Sequence, residues 1–473
     1  MALRRFQLDS KPKPAPRAVR GRSRVGAWVA DNKYAWVGTL MIAALLLSLI
    51  VPAPLYHGEI NEYSKDDSSL FYRVLKLTLL ILGPTIMIWR YALTARLLRE
   101  LNIFLLAFIA LMLLSIMWSI EPGTTAWRSL SIVTIFGCGA AYVLVGWQPR
   151  RFQDIVRPLM TAFLVASLIF GLLSPSLGRE NLDLFALKGA WRGVFNQKNS
   201  LGYGAALGVV FWLHAWLAKE VRPSRFALGM GVSIACIILS RSSTALFVAL
   251  FGALLLLLLL KGFSGRRRYV VPLSVLFVAM VVFYSLAILK IVPGDFLLQP
   301  FVEATGKDMT FSGRTTVWAI IREHIKLHPM LGTGYAAYWI GPVPSSPSIE
   351  TMERYSDYYP HEAHNGYLDV INDLGYVGLL LLLGYIVVFL RQSLELLRVD
   401  YAQAVLYLVL LFEELVVNLS GSDWFSFLSF GFALIILATF ALARAMLDHR
   451  MRAVPATRPN PLPLPRVASR GSL

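Results

Sequence analysis

The sequence predicts an all-α polytopic membrane protein with about 12 transmembrane helices and one large loop between helices 9 and 10. Of its 473 residues, 56% are hydrophobic and only 15% are charged, and the mean hydropathy is +0.60. Soluble domains carry about 25% charged residues. Apolar runs long enough to cross a bilayer recur along the whole chain. This composition excludes a soluble nucleic-acid-binding protein, despite the formal charge of +17.

The apolar runs divide the chain into five segments. Residues 1–33 and 446–473 are basic tails without apolar periodicity, and we expect them to be disordered. Residues 34–290 hold helices 1–9, residues 291–370 form the large loop with amphipathic helices, and residues 371–445 hold helices 10–12. The predicted spans lie near residues 34–52, 73–91, 101–119, 127–147, 156–174, 200–217, 225–240, 243–260, 269–289, 371–390, 402–419 and 424–443.

The distribution of positive charge predicts the orientation of the chain. About two thirds of the 45 Lys and Arg residues fall in the tails and in alternate connections on one side. Because Lys and Arg are retained on the cytoplasmic side, both termini are predicted to be cytosolic. The large loop then faces outward, to the periplasm in a Gram-negative cell. The two cysteines, Cys138 and Cys236, lie inside apolar runs, so we predict no disulfide framework.

Several cations remain on the outer side, where the positive-inside bias disfavours them. The segment 191–199 carries Arg192, Lys198, Asn196 and Asn199 and leads directly into a span. Cations, amide donors and the free N–H groups of a helix start suit an anion, so this segment predicts a diphosphate cradle. As an alternative, Arg192 is an ordinary surface charge.

Arg241 lies in a turn of three or four residues between two spans, with a serine on each side. The turn is too short to move far from the membrane boundary. Two interpretations stay open for this arginine: a snorkelling anchor at the interface, or a ligand for an anionic headgroup.

The large loop contributes two further candidates. Arg314 precedes an amphipathic run and is expected at a helix start, unless it only pairs with Glu303 or Glu323. His364 lies near the end of the loop, and a neutral imidazole titrates close enough to pH 7 to take a proton from a hydroxyl. His364 is therefore the candidate base. His361 and His364 without a cysteine form a weak metal pattern, and we predict no metal site.

Glu413 and Glu414 lie near the middle of the eleventh predicted span, where an unpartnered charge costs about 2.5 kcal/mol or more. A proton-coupled transporter would use such acids. We favour a structural role in which they pair with Arg73 or Lys76.

The motifs occur in a fixed order along residues 115–380, and in that order the chain resembles the O-antigen ligase and polysaccharide polymerase superfamily. The matching motifs are Arg192-Gly193-Val194-Phe195-Asn196 with Asn199, Ser240-Arg241-Ser242, Gly313-Arg314 with Trp318, His328-Pro329 with Gly332 and Gly334, and His364-Asn365-Gly366-Tyr367 with Gly375 and Gly378.

The resemblance implies a bacterial inner-membrane glycosyltransferase that acts on the periplasmic side with an undecaprenyl-diphosphate-linked glycan as donor and a second glycan as acceptor. It implies that Arg192 and Arg314 bind the diphosphate and that His364 is the catalytic base. The other predicted substrate-binding residues are Arg241, Asn196, Asn199, Lys198, Trp318 and Tyr335, the last as a surface for sugar stacking. No Asp-x-Asp pair occurs in the sequence, and we predict neither cofactor nor metal.

Two reactions are possible within the superfamily. A polymerase joins a growing chain to the next lipid-linked repeat, and a ligase moves the finished chain onto lipid A-core. We favour an exopolysaccharide polymerase, because the basic tails are similar to those of rhizobial-type systems. The alternatives are the ligase, a transporter centred on the two glutamates, and a non-catalytic scaffold. The bilayer, a flippase and a chain-length regulator are the expected partners, and no nucleic acid is expected.

Overall fold

The computed structural model of the protein describes residues 33–50, 70–180, 189–262, 266–288, 314–341, 346–349, 353, 359–360 and 362–453. Within these ranges the chain is helical and forms no strand, apart from one isolated antiparallel bridge between Arg179 and Trp191. Residues 1–32 and 454–473, which hold nearly all of the two predicted tails, lie outside the described part, and so do residues 291–313 of the predicted loop. Residues 446–453, predicted as tail, belong to the last helix.

The described part of the chain contains fourteen helices of ten residues or more. They are α1 Ala35–Leu49, α2 Leu70–Trp89, α3 Tyr91–Glu100, α4 Ile103–Leu114, α5 Pro122–Leu144, α6 Arg151–Leu173, α7 Lys198–Leu217, α8 Pro223–Ser240, α9 Ser243–Leu257, α10 Arg267–Ile288, α11 Arg314–Leu327, α12 Gly366–Leu396, α13 Tyr401–Val417 and α14 Phe430–Ala453. A 3₁₀ turn follows α4, and a π-helical turn, Leu258–Gly262, extends α9.

The helix starts follow from local sequence. Proline occupies the first position of α5 and α8, at Pro122 and Pro223, where its missing N–H costs nothing. Side chains accept hydrogen bonds from the first turns of α9, α12 and α13, where the capping residues are Ser242, Asn365 and Asp400. These caps satisfy backbone donors that a helix start otherwise leaves unpaired.

The helices confirm a polytopic membrane protein. Each of the twelve predicted apolar runs coincides with a helix, while α3 and α11 fall in segments predicted as connections. By length and composition, seven helices are able to cross a membrane among the described residues, or eight if α2 and α3 count as one span bent by 99°. The number of twelve spans therefore stays a prediction, since helices such as α1 and α4 are short.

Helices α13 and α14 form the centre of the bundle. In α14, 94% of the most apolar window is buried, and nearly every side chain of α13 is buried. Helix α14 packs against α3, α5, α12 and α13, and α7 packs against α6, α8 and α9. The helices therefore pack in two groups, one around α14 and one around α7.

Helix α12 is broken at Gly375, whose φ of 67° and ψ of −167° are not helical. Residues 328–334 dock at this break: the N–H of Tyr376 donates to the Pro329 carbonyl at 2.9 Å, and that of Gly334 to the Asp373 carbonyl at 3.0 Å. The break lets residues 328–334 pack directly against the α12 backbone.

Candidate functional site

A cavity of about 300 Å³ lies where the starts of α7, α9 and α12 meet the connection between α13 and α14. The predicted site residues divide into two groups around it. Those that line the cavity are Asn196, Asn199, Arg314, Tyr335 and His364. Those that lie outside its lining are Arg192, Lys198, Arg241 and Trp318.

His364 lies beside Glu362 in the cavity wall. Its backbone is left-handed, with a φ of 51°, which is uncommon for a residue other than glycine. Its Nδ1 lies 2.7 Å from Glu362 Oε1, and its side chain is 27% exposed. In the neutral ring this contact places the proton on Nδ1, so Nε2 is left as an acceptor. Such a ring can take a proton from a hydroxyl in the cavity.

Three hydrogen bonds hold the loop that carries His364. The indole N–H of Trp318 donates to the Ala363 carbonyl at 2.8 Å, and the N–H of Ala363 donates to Asp369 Oδ2 at 3.0 Å. The N–H of Asn365 donates to Ser422 Oγ at 3.2 Å. Trp318, predicted to bind substrate, is buried and positions the loop from outside the cavity lining.

Asn418 fixes the start of α12 against the connection between α13 and α14. Its carbonyl accepts from the N–H of Gly366 at 3.1 Å, and its Oδ1 accepts from the N–H groups of Asp423 and Trp424 at 2.8 and 2.7 Å. A Cβ on Gly366 would lie only 1.9 Å from Asn418 Oδ1, so only glycine fits there. Two walls of the cavity are thereby locked to each other.

Arg192 holds the segment that delivers two amides to the cavity. Its Nε donates to the Leu177 carbonyl at 2.8 Å, and its backbone N–H donates to the Gly178 carbonyl at 3.0 Å. The next residue, Gly193, has a φ of 59° and lies against Ser167, where a Cβ would approach within 2.2 Å. This docked turn leads to Asn196, which lines the cavity.

The Ser240-Arg241-Ser242 turn packs on the start of α7. Arg241 ends α8 in the left-handed conformation and is exposed. A Cβ on Gly202 would lie 2.9 Å from Ser240 Oγ, which shows how closely the turn approaches α7. Lys198 lies near enough to Arg241 for their positive charges to repel each other. Both cations therefore lie beside the wall that carries Ser242, although neither lines the cavity.

Five charged residues of the cavity lining were not predicted from the sequence: Arg128, Glu362, Asp369, Asp373 and Asp423. Asp369 and Asp373 are four residues apart at the start of α12, a spacing that puts both on one face of a helix. That spacing was the available signal. No sequence signal pointed to Arg128, since it lies inside an otherwise apolar helix.

The connection between α13 and α14 supplies more of the lining than any predicted motif. The twelfth span was predicted to begin at residue 424, whereas α14 begins at Phe430. Residues 424–429 line the cavity instead of crossing the apolar layer. The aromatic residues in this stretch are apolar, so they lengthened the predicted span at its start by six residues.

Burial governs the protonation of two groups outside the spans. It raises the pKa of Asp423 from 3.8 to about 7, and the negative charge of Glu362 adds to the effect. Burial also raises the pKa of Tyr335 well above its usual range, with a further contribution from Asp373. The Tyr335 hydroxyl is therefore protonated and donates to the Phe425 carbonyl at 2.6 Å.

Glu414 connects to the cavity wall instead of pairing with Arg73 or Lys76. Its Oε2 accepts from the Tyr203 hydroxyl at 3.1 Å, and its Oε1 accepts from Asn418 Nδ2 at 3.1 Å. Glu413 is fully buried, and neither of its carboxylate oxygens has a hydrogen-bond partner among the described residues.

Comparison with known proteins gives two matches. Residues 228–383, from α8 into α12, match the family described as O-antigen ligase. This region contains Arg241, Arg314 and His364. The exopolysaccharide production protein ExoQ of Rhizobium meliloti (strain 1021) is 26% identical over 293 residues, and the match covers 59% of this chain and 62% of that relative. The two matches confirm the family resemblance that the ordered motifs predict.

Proposed function

We propose that this chain is a member of the O-antigen ligase and polysaccharide polymerase superfamily, to which it is similar. In this proposal it polymerises undecaprenyl-diphosphate-linked oligosaccharide repeat units at the periplasmic face of the inner membrane. The reaction transfers a growing glycan from one lipid diphosphate to the next lipid-linked repeat, in the biosynthesis of exopolysaccharide or O-antigen. A flippase that supplies repeats and a protein that regulates chain length are the partners such a reaction needs.

One observation carries the proposal. A single cavity is lined by a guanidinium group, two amides and an imidazole whose Nδ1 contacts a carboxylate: Arg314, Asn196, Asn199 and His364 with Glu362. These groups come from three separate parts of the chain. An anion-binding wall and a base in one cavity are the two elements that a transfer from a diphosphate requires.

The chemistry follows from this arrangement. Negative charge grows on the diphosphate as the anomeric C–O bond breaks, and Arg314 stabilises that charge with fixed donors. Arg192 and Arg241, in the turns that adjoin the cavity, add positive charge near the diphosphate. His364 Nε2 takes the proton of the acceptor hydroxyl. The oxygen of that hydroxyl attacks the anomeric carbon, and the lipid diphosphate leaves. Glu362 stabilises the imidazolium that results. A single displacement of this kind inverts the anomeric configuration.

The polymerase reaction is favoured over the ligase by the similarity to an exopolysaccharide production protein. The alternative is transfer of the finished glycan onto lipid A-core, and the description of the matched family as O-antigen ligase supports it. The two reactions use the same donor and the same base. They differ only in the acceptor, so an assay that varies the acceptor separates them.

The test uses the purified protein in nanodiscs with lipid-linked repeat units. Glycan length is followed by gel, and released undecaprenyl diphosphate by mass spectrometry. We expect a ladder of increasing length from the wild type. We expect His364→Ala and Arg314→Ala to lower the rate by about 10²-fold or more, since each removes a group that acts in the transition state.

Matched controls are His449→Ala and Arg225→Ala, exposed residues remote from the cavity lining, which should retain the wild-type rate. Carrier release only after addition of lipid A-core would establish the ligase instead. If the wild type releases no carrier with either acceptor, the transferase proposal is wrong.

A further inference from the structure

Trp339 is coupled to the loop of His364 through one carboxylate. Its indole N–H donates to Asp369 Oδ1 at 2.9 Å, and Asp369 Oδ2 accepts from the N–H of Ala363 at 3.0 Å. Ala363 directly precedes His364. Trp339, Asp369 and His364 all line the cavity, so the carboxylate fixes the indole relative to the imidazole.

The Trp339 ring is rigidly supported on its other sides. Tyr338 and Tyr359 contact it edge to face, with ring centroids 4.8 and 6.1 Å away. Arg128 Nη1 donates to the carbonyls of Trp339 and Ala336, each at 2.8 Å, and thereby fixes the backbone. An aromatic surface held in this way loses little conformational entropy when a ligand stacks on it.

Asp373 lines the same cavity and is half-buried. Its Oδ2 accepts from the N–H of Ala336 at 2.7 Å. Its Oδ1 is buried beside the Asn372 amide and has no surface open to the cavity. A carboxylate oxygen has two lone pairs, so Oδ2 can accept a second hydrogen bond from a ligand hydroxyl.

Charge defines the class of ligand further. In the described part of the lining, two arginines, Arg128 and Arg314, face four carboxylates. Arg128 is already committed to backbone carbonyls. The carboxylates are Glu362, Asp369, Asp373 and Asp423. A ligand carboxylate placed on Trp339 would lie beside Asp369, which accepts from the indole N–H, and the two negative charges would repel each other.

We infer that Trp339 and Asp373 form the subsite for the acceptor sugar and that this sugar is uncharged. The sugar ring stacks on the indole, and one of its hydroxyls donates to Asp373 Oδ2. The acceptor is assigned here because Asp369 joins this wall to the base that must reach the acceptor hydroxyl. The donor diphosphate belongs to the walls of Arg314, Asn196 and Asn199. The inference rests on the proposed function for the meaning of "acceptor".

The test measures sugar binding separately from transfer. Saturation-transfer-difference NMR is recorded on the protein in nanodiscs with cellobiose, lactose and maltose, and with the three corresponding disaccharides that carry a uronic acid. We expect binding of at least one neutral disaccharide and at least tenfold weaker binding of its acidic counterpart. Trp339→Ala should weaken neutral binding about tenfold, and Trp339→Phe should restore most of it, because the flat ring is kept.

Asp373→Ala should weaken neutral binding, since it removes the oxygen that accepts the sugar hydroxyl. His364→Ala should bind neutral sugar as the wild type does, while its transfer rate falls by about 10²-fold or more. Trp216→Ala, an exposed tryptophan outside the cavity lining, controls for loss of an indole, and size-exclusion profiles confirm folding.

The outcomes separate the two proposals. A wild type that transfers glycan but binds no neutral disaccharide, or binds acidic ones equally well, overturns the subsite. The same holds if Trp339→Ala binds unchanged. A wild type that binds neutral sugar at Trp339 yet transfers nothing overturns the proposed function and leaves the sugar site in place.

Discussion

Individual carboxylates in the cavity wall have different tasks because their surroundings differ. Glu362 is partly exposed and contacts His364, which makes it the partner of the candidate base. Asp369 accepts two hydrogen bonds and positions the loop. Asp423 is half-buried, and desolvation together with the charge of Glu362 makes its ionisation unfavourable. With Asp373, which is proposed to bind the acceptor sugar, the four acidic residues of the lining thus have four different functions.

The raised pKa of Asp423 predicts a pH-dependent stability. In the unfolded chain this carboxyl titrates near 3.8, and in the folded protein near 7. Between these values the folded state binds more protons than the unfolded state, so stability falls as pH rises through this window and levels above it. Glu362, Tyr203 and Glu414 are the other titratable groups whose charges interact with it.

We therefore expect Asp423→Asn to remove the part of the stability loss that the wild type shows between pH 5 and pH 8. The measurement is the thermal unfolding midpoint in nanodiscs at several pH values, for both proteins. Asp448→Asn, at the other end of α14 beside Arg444, is the matched control and should keep the wild-type decline. A decline of equal size in Asp423→Asn would show that other groups cause it.

At the scale of elements, the break in α12 is the feature on which the site depends. The segment 328–334 contacts the broken helix through glycines: a Cβ on Gly332 would lie 2.3 Å from the Asp373 backbone, and one on Gly375 would lie 2.2 Å from the Met330 backbone. Backbones can approach this closely only without side chains. The first half of α12, which carries Asp369 and Asp373, is held in place by this contact.

Gly375→Ala should therefore prevent formation of the native site. The residue has a positive φ, which alone costs about 1–3 kcal/mol for a residue with a side chain, and the added methyl group collides with backbone that cannot move independently. We expect a lower unfolding temperature and loss of sugar binding. The control is Gly231→Ala in α8, where a Cβ meets no atom within 4 Å and where alanine favours the helix. Equal stability of the two variants would contradict the role of the break.

These elements also show how far the sequence could predict the molecule. The apolar runs located helices such as α7 and α9 to within a few residues, since span length and hydropathy decide them. The order of the motifs predicted that His364 and Arg314 belong to the same site. Sequence could not assign Trp318 to the support of the loop or predict that Asp373 faces the cavity. Both depend on how α11 and the broken α12 pack, which is a long-range property.

At the scale of the whole molecule, the cavity and a basic end lie at opposite ends of the same helices. Helix α7 begins at the cavity and ends near Glu220, whose carboxylate is 3.0 Å from Arg157. Helix α12 also begins at the cavity, and the Leu394 carbonyl near its other end accepts from Arg267 at 3.0 Å. At about 1.5 Å per residue, the 20 residues of α7 span about 30 Å, the thickness of the bilayer core.

This polarity predicts which face each end occupies. Arginines collect on the cytoplasmic side of membrane proteins, so the cavity should open on the periplasmic side. The orientation can be read by cysteine labelling because Cys138 and Cys236 are completely buried and give little background. Lys326, 69% exposed on α11, and Arg225, exposed at the start of α8, are suitable positions for new thiols.

A membrane-impermeant maleimide should label Lys326→Cys in intact spheroplasts and Arg225→Cys only after the membrane is permeabilised. The expectation follows because α8 begins at the basic end and α11 precedes the cavity loop, so the bilayer separates the two thiols. The unsubstituted protein serves as the background control in both conditions. Labelling of Arg225→Cys but not of Lys326→Cys in intact spheroplasts would show the opposite orientation, in which the cavity faces the cytosol. A reaction on exported lipid-linked glycans would in that case be impossible at this site, whatever the chemistry of His364.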